Sequence, residues 1–515
     1  MGLRRGLNAA HRHAHTHPFA RTLVAVLLVA AVVACGAGFR AASAAAASVV
    51  NVRQYGAVGN GSHNDASAIQ RAVNKAASRP GSTVLVPRGV YLCTTPIRLA
   101  NHVNLRGAGS TASWLEGRLE FGSSSSISKL TIGRPGTCAL THRPGATRTS
   151  IISCRLRGGG SSGNADGCVV YLGGSQGNVS RILFTHCQIE RTSYVPRAGV
   201  DAFARGVGNT ITINEVSYLP HGAHVARITF RDCHLGASNG HATGALRMMM
   251  EAYCWSNNTG RSYHGWKHLT FAGCKIEASD TTDLDFADGL LSSGSKHHSS
   301  SGVLVTGCTF LGAHRDLNSR YSGLPIVYEC PTGIVIRHNM FYASPHDAIA
   351  GSSVLTSTNA PSLLIQGNTF DMTRSPIGLK HLRDQPCISL VGYDSRVLHN
   401  RFLYDTGEGI QIRGSGGGSR ATVGNLVQGN IFTDKRSSDG QPTIELCDSR
   451  GLGCYNNRIV GNTIRNRAAG RSGVIAQTSG SGTNYAKNNT IHRGSGVAFV
   501  VRRGKIVRAG NRIGA

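Results

Sequence analysis

From residue 150 to its C-terminus the chain returns twelve times to one short phrase: an apolar residue, two further positions, Cys or Asn, one position, then Ile, Leu or Phe. The phrase is built around Cys154, Cys187, Cys233, Cys274 and Cys308, then around Asn339, Asn368, Asn400, Asn430 and Asn462. It closes in shorter form on Asn489 and Asn511. Successive occurrences lie 22 to 46 residues apart, the spacing of a repeat array whose units share one continuous core. Apolar residues alternate on both sides of the Cys/Asn position, as in two short strands meeting at a bend. Asn suits that bend because it tolerates left-handed φ and bonds nearby backbone. Stacked about 4.8 Å apart from coil to coil, the amides can bond one another in a ladder. Cys at the same corner reads as a small buried residue.

A further strand follows each corner after a loop of variable length. Examples are Gly167–Leu172, Ala245–Met250, Pro325–Cys330, Ile388–Val391, Gly409–Arg413, Thr443–Leu446 and Val497–Val500. Three strands and three corners per unit predict an all-β chain: a single-stranded right-handed parallel β-helix of three parallel sheets and about 12 coils. The 66 glycines and the 16% charged residues suit many tight corners, and glycine shows no every-third spacing of the collagen kind.

The first 47 residues read as an export segment. Arg4, Arg5, Arg12 and Arg21 precede an apolar stretch of 12 residues, Leu23 to Ala34, too short for the roughly 20 residues of a membrane span. Small residues from Ala41 to Ser48 offer peptidase sites. Val32-Val33-Ala34-Cys35 also resembles a bacterial lipobox, which would leave Cys35 lipidated. Secretion is the first expectation and surface anchoring through Cys35 the second. Thirteen cysteines follow Cys35; export permits disulfides, and Cys447 with Cys454 reads as a local pair. The formal charge of +28 favours a polyanionic partner, although the basic residues are scattered rather than clustered. With no nucleic-acid-binding motif, a specific nucleic-acid partner is not expected.

Residues 51–110 contain NVRQYGAVGNGSHNDASAIQRAV, TVLVPRGVYLCTTPIRL and NHVNLRGAGS. This resembles the N-terminal signature of the pectate-lyase-like superfamily, in the version shared by rhamnogalacturonase and polygalacturonase relatives and some phage tailspikes. The resemblance implies a first strand, a capping helix and a first coil. Asp65 fits as N-cap of a helix from about Ala66 to Ala77. Where that family carries Gly-Asp-Gly and Asp-Asp-Thr, this chain has Asn60-Gly61 and Asn64-Asp65-Ala66. The expected organisation is an export segment over 1–47, a cap with first coils over 48–135, and the β-helix over 136–515.

The resemblance also implies a groove over the strand that follows the variable loop. Four carboxylates, Asp166, Asp288, Asp347 and Glu408, read as lying just before such strands. Asn164-Ala165-Asp166-Gly167 is similar to the Asn-Thr-Asp-Gly of polygalacturonases, but that family's Asp-Asp and Gly-His-Gly are missing from the next coils. Asp288, Asp347 and Glu408 recur at every second coil, about 9.6 Å apart, near the ~6.5–9.5 Å of inverting glycosidases.

Five acids, Glu277, Asp280, Asp283, Asp285 and Asp288, fall within 12 residues. Just upstream lie Tyr253, Trp255, Tyr263 and Trp266, with Arg247, Arg261 and His264. Aromatic faces stack on sugars and Arg holds carboxylates, so these seven are the expected substrate-binding set. Asp285 and Asp288 are candidate acid and base, and Asp283 with Asp285 offers oxygen ligands for Ca²⁺. Arg413 and Glu445 project from later groove strands and extend the candidate catalytic set; Glu329 joins them. A solvated acidic insertion is the plain alternative. The functional expectation is a secreted protein that cleaves an acidic polysaccharide as hydrolase or lyase. The alternative is a binding or surface-structural solenoid without catalysis.

Overall fold

The computed structural model describes residues 47–159, 168–173, 177–192, 209–216, 225–237, 248–255, 267–277, 282–286, 301–311, 324–328, 332–342, 348–351, 362–371, 386–403, 408–413, 422–435, 441–447, 453–466, 470–480 and 482–514. They form a right-handed parallel β-helix. Each coil contributes one strand to each of three sheets, called A, B and C here in the order in which the chain visits them. Sheets A and B each hold 16 strands and sheet C holds 14, and every strand pairs in parallel with its neighbours from the coils before and after. The motif count of about 12 coils falls short. Sheet A has four strands ahead of Ala146–Ile152, namely Val49–Asn51, Thr83–Val86, Asn104–Gly107 and Ser126–Ser128, and none of them leads into a Cys/Asn corner.

Period-two alternation builds the interior. In Ile431–Lys435, for example, Phe432 points inward while Ile431 is exposed. One apolar cluster runs from Val50 to Ile506, and phenylalanines stack through it. The rings of Phe310, Phe341, Phe370, Phe402 and Phe432 lie 4.4 to 4.9 Å apart, nearly parallel, which is the coil rise itself. The helix Ala66–Ala77 adds Ile69, Ala72, Val73 and Ala76 to the same cluster, at its first coils.

Helix start and end fall where the sequence places them, but Asp65 acts differently. Its carboxylate makes no helix cap. It accepts from the backbone N–H of Val58 at 2.8 Å and Gly59 at 2.9 Å, and meets His63 Nδ1 at 2.8 Å. Asp65 therefore ties the entering chain to the helix base. Asp65→Ala should cost about 2 kcal/mol, since it orphans two backbone donors beside a buried site; a urea midpoint measures it.

The corner between sheets A and B is short and chemically uniform. Asn339, Asn368, Asn400, Asn430, Asn462 and Asn489 each donate through Nδ2 to the Oδ1 of the next Asn, at 2.9 to 3.0 Å. Each Oδ1 also takes the backbone N–H of the preceding corner residue, and Cys308 N joins the row by donating to Asn339 Oδ1 at 2.8 Å. In the earlier coils the thiol fills the place of the amide: Cys187 Sγ bonds Ile151 O at 3.3 Å, and Asn339 Nδ2 bonds the equivalent Val305 O at 3.0 Å. The left-handed backbone does not fall on Asn, as the sequence suggested, but on the residue before it. His186, His338 and His399 hold φ of 52°, 54° and 53°, and Gly273, Gly307 and Gly429 occupy the same position. Asn is kept for its amide, and the bend is made one residue earlier.

A second ladder stands at the entrance to sheet A. Ser395 N donates to Asn425 Oδ1, and Asn425 and Asn457 donate onward to Asn457 and Asn484 at 2.9 and 3.0 Å. Cys447 and Cys454 are not bonded to each other, so the local disulfide expected from their spacing is not formed.

Candidate functional site

The connections flanking sheet C set it apart. Sheet A passes to sheet B across two residues, as between Ser301–Thr306 and Thr309–Leu311. The segments that enter and leave sheet C strands vary and are often much longer: 12 residues separate Thr309–Leu311 from Leu324–Tyr328, and 11 separate Ile349–Gly351 from Leu363–Gln366, although only three separate Leu324–Tyr328 from Thr332–Arg337. The outer face of sheet C is thus the face that the long connections flank.

Its outer row can be read off the register. Tyr171, Thr212, Glu251, Asp285, Val327, Ala350, Ser389, Gln411, Glu445, Ala476 and Val500 follow one another, one per coil. The interior partners alternate with them: Ile211, Leu284 and Ile326 are all fully buried. Two groups of chemically active residues occupy this face.

The first group lies on Met248–Trp255 and Thr282–Phe286. Asp283 and Asp285 fall within a strand, not in a loop. They alternate along that strand with Leu284 and Phe286, both fully buried. Glu251 stands in register with Asp285, and Tyr253 and Trp255 come two and four residues later in the same strand. Glu251 is absent from the sequence expectations because the apolar pattern places the strand at Ala245–Met250, one residue short of it; the strand begins at Met248 and runs through Trp255. In chain order Asp288 comes after the sheet C strand Thr282–Phe286, whereas Asp347 and Glu408 come before Ile349–Gly351 and Ile410–Arg413. Asp166, Arg247, Arg261, Tyr263, His264, Trp266, Asp280, Asp288, Glu329 and Asp347 lie outside the described residues.

The second group is Glu408, Arg413 and Glu445. Glu408 is 3% exposed and Glu445 is 9% exposed. Gln411 donates through Nε2 to Glu445 Oε2 at 2.7 Å, and the Thr478 hydroxyl donates to Oε1 at 2.6 Å. The carboxylate is therefore held from the coils on both sides. Arg413 pairs in register with Cys447. Burial pushes the Cys447 thiol well above its ordinary range; Glu445 and then Glu408 push it further, and Arg413 opposes them. All three expected residues act electrostatically on this one thiol. Two carboxylates and a guanidinium on adjacent coils can hold an anionic sugar and move a proton.

His142 belongs to the wall of sheet C and not to its face. It is fully buried against Phe121. Nδ1 lies 2.9 Å from Arg143 O, and Nε2 accepts from Gly173 N at 2.8 Å, which satisfies the neutral ring. Burial lowers its pKa to about 4. The unfolded chain takes up this proton near its ordinary value of about 6.5, and the folded chain only near 4. The stabilising contribution is therefore whole above about pH 6.5 and is lost as pH falls toward 4, on the order of 3 kcal/mol in all. His142→Gln should flatten that part of a stability-against-pH curve. Among the described residues, no group of three or more His, Cys, Asp or Glu converges as a metal site.

Residues 49–260 match the family model described as rhamnogalacturonase A/epimerase, pectate lyase-like. No curated protein matches the sequence. Among solved structures, PfbA, a surface adhesin of Streptococcus pneumoniae, aligns at 14% identity with a TM-score of 0.43, over 90% of this chain and 91% of that one. The catalytic unit of the GH87 α-1,3-glucanase of Streptomyces thermodiastaticus aligns at 14% identity and 0.38, over 91% and 69%. Tailspike protein 3 of bacteriophage CBA120 aligns at 12% and 0.45, over 90% and 58%.

Proposed function

We propose that this pectate-lyase-like parallel β-helix protein is an exported, carbohydrate-active protein that lays an acidic polysaccharide along the outer face of sheet C and cleaves it, by hydrolysis or lyase chemistry. The observation that carries the reading is the register of Glu251 with Asp285, with Tyr253 and Trp255 further along the same strand as Glu251. Adjacent strands lie about 4.8 Å apart. That is close to the ~5–5.5 Å at which retaining glycosidases hold nucleophile and acid/base. Tyr and Trp supply the flat surfaces that sugar rings stack on. Four strand steps along, about 19 Å away, Arg413 with Glu408 and Glu445 would engage another sugar of the same polymer. Ca²⁺, if the chemistry is that of a lyase, would be taken by Asp283 and Asp285, hard oxygen donors of the kind it requires. Export follows from the N-terminal segment, with Cys35 as the route to an anchored form.

One observation favours a binder without catalysis. Between the two groups the outer row reads Val327, Ala350, Ser389, a run with neither acid nor base. The test is to incubate the folded chain with pectate, alginate and rhamnogalacturonan, following reducing ends and unsaturated-product absorbance. Glu251→Gln and Asp285→Asn should each lower turnover at least ~100-fold. Absence of products from all three glycans would favour the binder, and unchanged turnover in Asp288→Asn would remove that acid from the site.

A further inference from the structure

One row of left-handed residues runs along the entrance to sheet A, a coil at a time: Ser124, Arg148, Arg181, Arg227, His268, Gly302 and Gly333. The flanking register fixes the row, since Thr147 pairs with Ser180 and Thr149 with Ile182, and Ala226 pairs with Lys267 and Ile228 with Leu269. The fold asks only for positive φ here. Gly meets that need in two coils, at 76° and 68°, and short polar residues meet it at modest cost because they bond their own backbone. Arg has no such compensation, yet three consecutive coils carry it at 56°, 56° and 59°.

All three arginines and His268 are exposed, and among the described residues none of the four makes an ion pair. The neighbouring rows hold no acid either: Thr147, Ser180, Ala226 and Lys267 on one side, Ser150, Leu183, Thr229 and Thr270 on the other. Like charges therefore stand about 4.8 Å apart at the backbone, unfavourable both for their repulsion and for their φ. Folding does not explain them.

We propose that Arg148, Arg181, Arg227 and His268 form an anion-binding ladder, separate from the outer face of sheet C, on which a linear acidic glycan lies parallel to the solenoid axis. A straight row spanning about 14 Å suits a polymer that carries one carboxylate per sugar along an extended chain. A duplex, whose phosphates wind around a cylinder, would meet only part of it. Guanidinium groups hold carboxylates bidentately, and each member of the row stands at the start of a sheet A strand, which follows a sheet C strand in chain order.

The test measures binding of the full chain to sodium polygalacturonate as salt is varied, with neutral dextran as blank. The triple variant Arg148→Gly, Arg181→Gly, Arg227→Gly should lose tenfold or more in affinity and show a shallower salt dependence, by about two to three in log–log slope. Its thermal midpoint should stay level or rise, because Gly accepts the backbone better. A control of equal charge, Arg396→Gln, Arg401→Gln, Arg458→Gln, removes exposed arginines from other rows and should lose less than threefold. Equal loss in the two triples, or no loss in the first, overturns the ladder, as does a clear fall in its thermal midpoint. Displacement of the glycan by a single-stranded oligonucleotide as effectively, charge for charge, as by polygalacturonate itself overturns the glycan assignment. The binding assay reads no turnover, so its outcome stands apart from that of the cleavage assay.

Discussion

Asn430→Leu, which keeps the branching of the side chain but not its polar atoms, should lower the unfolding free energy by about 4 kcal/mol or more. Asn430 Oδ1 accepts from Asn400 N at 2.8 Å and Asn400 Nδ2 at 3.0 Å, while its own Nδ2 donates to Val397 O at 2.9 Å. Leucine strips the acceptor from Asn400 N and from one of the two Asn400 Nδ2 hydrogens, the other still bonding Ile365 O, and removes the side-chain donor to Val397 O, all in a site that is fully buried, where each orphan costs about 1–3 kcal/mol. Because the row is continuous, the damage reaches the coil before and the coil after. Asn430→Cys is the informative companion. A thiol can still donate to the Val397 carbonyl, as Cys187 does to Ile151, so it should recover part of the loss. Denaturant midpoints for the two variants decide the matter, and a Leu variant within about 1 kcal/mol of the parent would show that the amides are dispensable.

Phe370→Ala should cost toward 5 kcal/mol. The ring is fully buried, 4.9 Å from Phe341 and 4.7 Å from Phe402. Truncation of a core Phe costs about 3–5 kcal/mol, more where the surroundings cannot collapse, and here two aromatic contacts go with it. Collapse is resisted because the backbones on both sides are pinned to a common rise by three sheets. Phe370→Leu, which keeps most of the volume, should cost about 1.5 kcal/mol or less. Equal losses for Ala and Leu would mean that the stack contributes ring contact rather than filled volume.

The polar corner was legible because every coil must solve the same local problem. Position after position needs a donor and acceptor pointing along the axis, and Asn supplies both, so the solution recurs in the sequence. The second ladder, Asn425, Asn457 and Asn484, carries a signal of the same kind: each precedes its partner Asn430, Asn462 or Asn489 by five residues. It went unseen because it is confined to the last coils and begins on Ser395. The acidic segment misled for a different reason. Thr282–Phe286 alternates acids with Leu284 and Phe286, a strand with one wet face, while Gly289-Leu290-Leu291 looks equally strand-like. Local pattern does not choose between them. The pairing of Leu284 with both Met250 and Ile326 does.

By itself the sequence determined the solenoid: its parallel strands and its polar corner. These follow from period-two alternation and corner chemistry, which act over a few residues and repeat. Which residues stand side by side on the outer face was decided only by the tertiary structure. Glu251 meets Asp285 across 34 positions of chain, and Arg148 meets Arg181 across 33. The connections between them vary in length without altering the rise of a coil. Stacking cancels loop length, so distance along the chain carries no information about distance along the axis.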